Sequence, residues 1–172
     1  LFRTFNGGCG YILKSDELRG ERSQQLLAER GGRNARLCLR VCCGRRLPRP
    51  EAPLHDDGEA FEGSVAFRQL PVTSPLVVVG LEPGGQTSQT RPVMQDGYHP
   101  IFNHEVEFDI SDSPIQILTF EIRDHSSGDA IARRALSLDA VREGYRWVTL
   151  RSALGNTVLH GGLLVYVEFK DH

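Results

Sequence analysis

Short runs in which apolar and polar residues strictly alternate fill the chain from Arg36 onward, and this period of two constrains the fold more than any other feature. Leu37, Leu39 and Val41 alternate with Cys38, Arg40 and Cys42; Val106, Phe108 and Ile110 alternate with Glu105, Glu107 and Asp109; Leu118, Phe120 and Ile122 alternate with Thr119, Glu121 and Arg123. Successive side chains of an extended strand point to opposite faces, so each run predicts a strand with one buried face. Further runs at 76–81, 87–93, 131–138, 145–150 and 163–169 bring the set to about eight, with Leu163, Val165, Val167 and Phe169 facing inward in the last. No βαβ alternation and no internal repeat accompanies them. The expectation is a mainly β protein built on an eight-stranded antiparallel sandwich.

The residues ahead of the sandwich have a different character. In Phe5 to Lys14 three glycines, Gly7, Gly8 and Gly10, allow tight backbone turns just before a short apolar strand. Ser23 to Arg30 has the length of two helical turns, but Gly31 and Gly32 follow at once and the stretch is polar and basic, which reads as a linker. The expected organisation is therefore a compact motif at 1–19, a basic linker at 20–35 and the sandwich at 36–172. With Leu1 in first place, the chain reads as a piece of a longer protein. Between the first two predicted strands, Leu47 to Pro75 is rich in proline and acids and longer than an ordinary connection, which marks a functional loop or a disordered insertion.

Charge and cysteine usage narrow the partners. Nine arginines and two acids lie between Arg19 and Arg49, whereas eighteen acids face nine bases from Pro50 to the end. A basic arm thus precedes an acidic body, and no nucleic-acid partner is expected. No apolar run reaches the roughly 20 residues needed to span a bilayer, so any membrane contact is expected to be peripheral; the expected location, cytoplasmic, goes with the cysteine usage. Cys9, Cys38, Cys42 and Cys43 lack metal-ligand spacing; Cys38 and Cys42 share a strand face and suit small buried hydrophobes in a reducing cytosol. Cys9, flanked by glycines, reads as packing rather than as a nucleophile, because no base is paired with it. None of His55, His99, His104, His125, His160 and His172 comes with a motif that sets it against an acid or a nucleophile.

The segment Asn6, Gly7, Gly8, Cys9, Gly10, Tyr11, Ile12, Leu13, Lys14 resembles the closing signature of the catalytic barrel in eukaryotic phosphoinositide-specific phospholipases C, Asn-Gly-Gly-Cys-Gly-Tyr-Val-Leu-Lys-Pro, with Ser15 where proline is usual. Asp96 to Phe102 resembles that family's Asn-Gly-Phe-Asn-Pro-x-Trp turn, Leu118 to Asp124 its Leu-x-Phe-x-Val-x-Asp strand, and Glu143 to Arg146 its Gln-Gly-Tyr-Arg. The resemblance implies a remnant of a TIM-type barrel followed by a C2-type sandwich. It also implies a parent that hydrolyses phosphatidylinositol 4,5-bisphosphate to diacylglycerol and inositol trisphosphate with two histidines and a calcium ion. Those groups lie upstream of the motif, so this segment is expected to be non-catalytic and to carry no cofactor of its own.

Calcium-binding members of the fold gather carboxylates from loops at one end of the sandwich, because calcium takes six to eight oxygens. Here Ser74 stands where that family has an aspartate before Pro75, His99 replaces the asparagine before Pro100, and Asp124-His125-Ser126 replaces an Asp-x-Asp pair. Asp124 and Asp129 alone remain in register, a degenerate site, and Asp56, Asp57 and Glu59 of the long loop are the conceivable supplements. The ligand count favours a calcium-independent domain. Attraction to an anionic phosphoinositide membrane then falls to the basic arm, with Arg45, Arg46 and Arg49 as membrane-facing candidates, unless that arm is simply a solvated linker. The implied partners are the parent's own catalytic barrel, the membrane surface and a possible protein partner. The alternatives are a catalytically inactive scaffold of the same family or a protein-interaction module.

Overall fold

The computed structural model describes residues 35–49, 73–110, 116–152 and 155–171. Eight strands follow in order: β1 (Ala35–Arg45), β2 (Pro75–Glu82), β3 (Gln86–Gln89), β4 (Ile101–Asp109), β5 (Ile117–Asp124), β6 (Ala130–Ser137), β7 (Gly144–Ser152) and β8 (Thr157–Asp171), with one 3-10 turn at Leu138–Ala140. All neighbours pair antiparallel in the order β3-β2-β5-β6-β7-β8-β1-β4. The β6–β7 link consists of two residue pairs, Ala132 with Ser152 and Arg133 with Arg151. It is a corner, and it divides the structure into two four-stranded layers, β3-β2-β5-β6 and β7-β8-β1-β4.

The alternation read from the sequence places the core. Leu37, Leu39 and Val41 of β1, Val77, Val79 and Leu81 of β2, Leu118, Phe120 and Ile122 of β5, and Leu163, Val165 and Val167 of β8 are all buried between the layers. Each such side chain contributes about 1.5–3 kcal/mol on transfer from water. The far edges of the two layers are closed by side chains. The Gln86 amide donates to the Asp109 carbonyl at 2.7 Å and accepts the Asp109 N–H at 2.9 Å. Nearby, the Ser88 hydroxyl and the His104 imidazole lie 2.9 Å apart.

Two sequence expectations change. The run at 87–93 is strand only to Gln89, because Thr90 takes over the pairing with β2: its hydroxyl accepts the Val77 N–H at 3.0 Å while its own N–H donates to the Val77 carbonyl. Cys38, Cys42 and Cys43 are half-buried on the outer face rather than in the core, with a register shift between Val41 and Cys43. Partial burial still pushes the Cys38 and Cys42 thiols above their ordinary range. His160 lies inside β8, at a left-handed bend (φ 56°) where the pairing with β7 shifts.

Candidate loop-end site and the outer sheet face

Antiparallel pairing brings four connections to one end of the sandwich: those after β1, between β3 and β4, between β5 and β6, and between β7 and β8. Backbone hydrogen bonds tie them together. Arg46, itself at a left-handed φ of 47°, donates from its N–H to the Tyr98 carbonyl, and Leu47 does the same to Gly97, both at 2.8 Å. Asp96 shapes the β3–β4 loop by accepting the N–H groups of Tyr98 and His99 at 3.1 and 2.8 Å. At Gly161 the backbone of β8 runs so close beneath the first loop that an added Cβ would stand 2.6 Å from the Arg46 carbonyl.

Asp124 is the organising side chain of this end. It is 2% exposed. One carboxylate oxygen accepts the Ser74 N–H at 2.7 Å, and the other accepts the Ser127 N–H at 2.9 Å. The same turn is closed by the Asp124 N–H donating to the Asp129 carbonyl at 2.9 Å, while the Asp129 side chain is exposed. The in-register carboxylate thus has both oxygens engaged in holding two loops. Among the described residues, no group of three or more histidine, cysteine, aspartate or glutamate side chains converges as a metal site. Asp124 and Asp129 are the in-register carboxylates among the described residues, against the six to eight oxygens that calcium takes.

Beside the exposed Asp129, the end presents apolar and basic groups. Met94, Tyr98 and Leu159 are 62%, 64% and 77% exposed. Arg45, Arg46 and Arg91 are exposed beside them. The Arg46 guanidinium lies over the Tyr98 ring at 5.8 Å and lowers the pKa of its hydroxyl through a hydrogen bond and its charge. Arg49, the third membrane-facing candidate, is half-buried and engaged by a neighbour. Asn6, Gly7, Gly8, Cys9, Gly10, Tyr11 and Lys14, like Asp56, Asp57 and Glu59, lie outside the described residues.

A second surface went unread in the sequence. On the outer face of the β7-β8-β1-β4 layer, Tyr145 meets Tyr166 edge-on with ring centroids 5.0 Å apart, and Arg40 lies 5.5 Å over Tyr166. Trp147 lies across Gly162, where a Cβ would be 2.7 Å from the indole. Tyr145, Trp147 and Ile101 are exposed large hydrophobics. Further along the same face an ionic ladder joins Arg36 to Glu107 and Asp109 at 3.0 and 3.2 Å. The alternation of Tyr145 and Trp147 with buried Val148 and Leu150 was the available signal. The Ser88–His104 contact also emerged only in three dimensions; no third group orienting the imidazole is recorded among the described residues, and it serves to close the sandwich edge.

A C2 domain family model matches residues 35–150. The chain belongs to the C2 domain family. It is 26% identical over 176 residues to rat 1-phosphatidylinositol 4,5-bisphosphate phosphodiesterase delta-1, covering 96% of this chain and 21% of that protein. Mouse 1-phosphatidylinositol 4,5-bisphosphate phosphodiesterase eta-2 is 30% identical over 182 residues, 96% of this chain and 10% of that protein. Human inactive phospholipase C-like protein 1 is 25% identical over 175 residues, 96% and 15% respectively. The chain thus spans about a fifth or less of the length of these relatives. Among solved structures, the C2 sandwich of this chain lies within a match to L. pealei PLC21 with TM-score 0.64 and 18% identity, covering 95% of this chain and 20% of that one. A C2 domain of plant extended synaptotagmin 1 matches with TM-score 0.58 and 18% identity, over 81% of this chain and 97% of that one. No helix among the described residues is long and apolar enough to cross a membrane.

Proposed function

We propose that this C2 domain is the non-catalytic C-terminal module of a phosphoinositide phospholipase C-type protein, resting on that protein's catalytic barrel and meeting an anionic phosphoinositide membrane at its loop end without calcium. The observation that carries the reading is the commitment of both Asp124 oxygens to the Ser74 and Ser127 N–H groups, at an end whose exposed groups include Met94, Tyr98, Leu159, Arg45 and Arg46 beside the single exposed carboxylate of Asp129 in that turn. Amphipathic tips of this kind enter the interface with the apolar part in the acyl boundary and the cation among headgroups. The outer face around Tyr145, Trp147 and Ile101 suits the barrel, because a covered aromatic face removes apolar area from water. In this reading the parent is cytoplasmic, peripheral at the membrane, and hydrolyses phosphatidylinositol 4,5-bisphosphate.

A second reading, in which the parent is a catalytically inactive scaffold, is supported by the comparable similarity to inactive phospholipase C-like proteins. The presence or absence of paired histidines in the parent's barrel separates the two. Docking is tested by co-sedimentation with anionic liposomes in calcium and in chelator, at low and physiological salt. Binding is expected to be the same in calcium and chelator, to fall as the Debye length shortens to about 8 Å, and to drop in the Arg45→Glu/Arg46→Glu variant. Binding that appears only with calcium would overturn the calcium-independent reading.

A further inference from the structure

The histidines among the described residues divide by place. His104 is half-buried against Ser88 at the sandwich edge. His99, His125 and His160 are exposed, and they reach the loop end on three different parts of the chain: the β3–β4 connection, the β5–β6 turn and the left-handed bend of β8. Backbone contacts hold these parts together. His99 lies between Tyr98 and Pro100, whose carbonyls accept the N–H groups of Arg46 and Gly44 at 2.8 Å each. His125 donates its N–H to the Ser74 carbonyl at 2.8 Å, and the Ser74 hydroxyl accepts the Gln95 N–H at 3.0 Å, which joins the β5–β6 turn to the loop carrying Met94. His160 precedes Gly161, the residue that runs beneath the Arg46 carbonyl. None of the three imidazoles makes a hydrogen bond or an ion pair among the described residues, so none is occupied in holding the fold.

The permanent charges around them come from every segment of this end. The β1 exit supplies the exposed Arg45 and Arg46, with Arg46 over the Tyr98 ring and Arg49 half-buried and engaged. The β3–β4 loop supplies Arg91 and Asp96, and the β5–β6 turn Asp124 and Asp129. Arg151, before the β7–β8 turn, is half-buried with one Nη on the Gly155 carbonyl, and Arg123, at the end of β5, is paired with Glu121. Three exposed guanidiniums thus stand beside three carboxylates, and histidine is the side chain whose charge changes between about pH 5 and 8. Protonation of all three imidazoles doubles the exposed positive charge of the end. An anionic surface favours the charged form, so the gain in binding is complete below the pH at which the free domain takes up these protons and is lost as pH rises through the bound-state value. We infer that His99, His125 and His160 are membrane-contact residues that strengthen docking on an anionic lipid surface as pH falls below neutral, an inference that rests on the loop-end docking proposed above.

The test is co-sedimentation of the full chain, in chelator and at constant ionic strength, with phosphatidylcholine vesicles carrying phosphatidylglycerol, whose phosphodiester keeps its charge throughout. Between about pH 7.5 and about pH 5.5 the partition coefficient is expected to rise about thirtyfold, each cation beside an anionic leaflet adding up to about fivefold. The triple variant His99→Gln/His125→Gln/His160→Asn is expected to bind like the parent chain at the higher pH and to lose most of the rise, whereas His104→Gln keeps it. Asparagine is chosen at His160 because it tolerates a left-handed φ. An unchanged thermal midpoint checks that the triple variant folds, and the single variants His99→Gln and His125→Gln, each lowering the rise about threefold, carry the same test separately. A rise that persists in the triple variant, or binding that is present but flat with pH, overturns the role of the histidines and leaves loop-end docking standing. No binding to these vesicles at any pH overturns the docking itself, and the histidine inference with it.

Discussion

Asp124 shows how one side chain can look like a ligand and work as a brace. In the sequence it ends a β strand at the position where calcium-binding relatives of the fold place an acid, and that position is all a sequence can display. In the fold its carboxylate is buried, with one N–H donor from each of two loops. Asp124→Ala is expected to lower stability by about 2–4 kcal/mol in chemical denaturation, because the Ser74 and Ser127 N–H groups lose their acceptor in a dry site. Asp124→Asn, which keeps one acceptor oxygen, should recover about half of that loss. An alanine variant as stable as the parent chain would show that the brace contributes nothing. Spacing alone could not foretell this, since the donors come from Ser74, fifty positions away along the chain, and from Ser127 next door.

At the level of strands, what the sequence displayed well was everything with period two. The inward residues of β1, β5 and β8 were legible because burial on one face of a pleat leaves an alternation, whereas β2 is a continuous apolar run whose inward face the sequence did not mark. What it hid were the places where the pleat breaks: Thr90 substituting its hydroxyl for a ladder group, the shift at Val41 to Cys43, and the left-handed bend at His160. These depend on partners from other strands, and no local pattern encodes them. The closure of the far edge is of the same kind. Gln86 makes two hydrogen bonds to the backbone of Asp109 and so fills the place of a missing rung between β3 and β4. Gln86→Ala should cost about 1–2 kcal/mol and speed amide exchange at Asp109 while leaving exchange at Leu39 and Val79 slow. Uniform loss of protection across both layers would instead show that the edge and the core open as one unit.

Considered whole, the molecule separates its surfaces by direction: loops at one end and an aromatic face on the outer side of one layer. The aromatic face has a measurable consequence in the isolated chain. Ile101→Ser combined with Tyr145→Ser is expected to reduce binding of a fluorescent apolar dye while changing stability by no more than about 1 kcal/mol, since both residues are exposed. Undiminished dye binding would place the apolar surface elsewhere.

The pairing of Ala35 with Asp171 sets β1 and β8 side by side with their outer ends remote from the loops. Residues 1–34 are therefore joined to the sandwich at the end opposite Met94 and Tyr98. A load applied between a membrane gripping the loops and a neighbour holding the polypeptide ahead of Ala35 runs along the axis of β1. That strand is flanked by β4 on one side and β8 on the other, with hydrogen bonds perpendicular to the pull. Such a geometry resists in shear, with many rungs sharing the force at once, whereas a pull across the strands would unzip them singly; the domain is expected to withstand most force along the axis of β1.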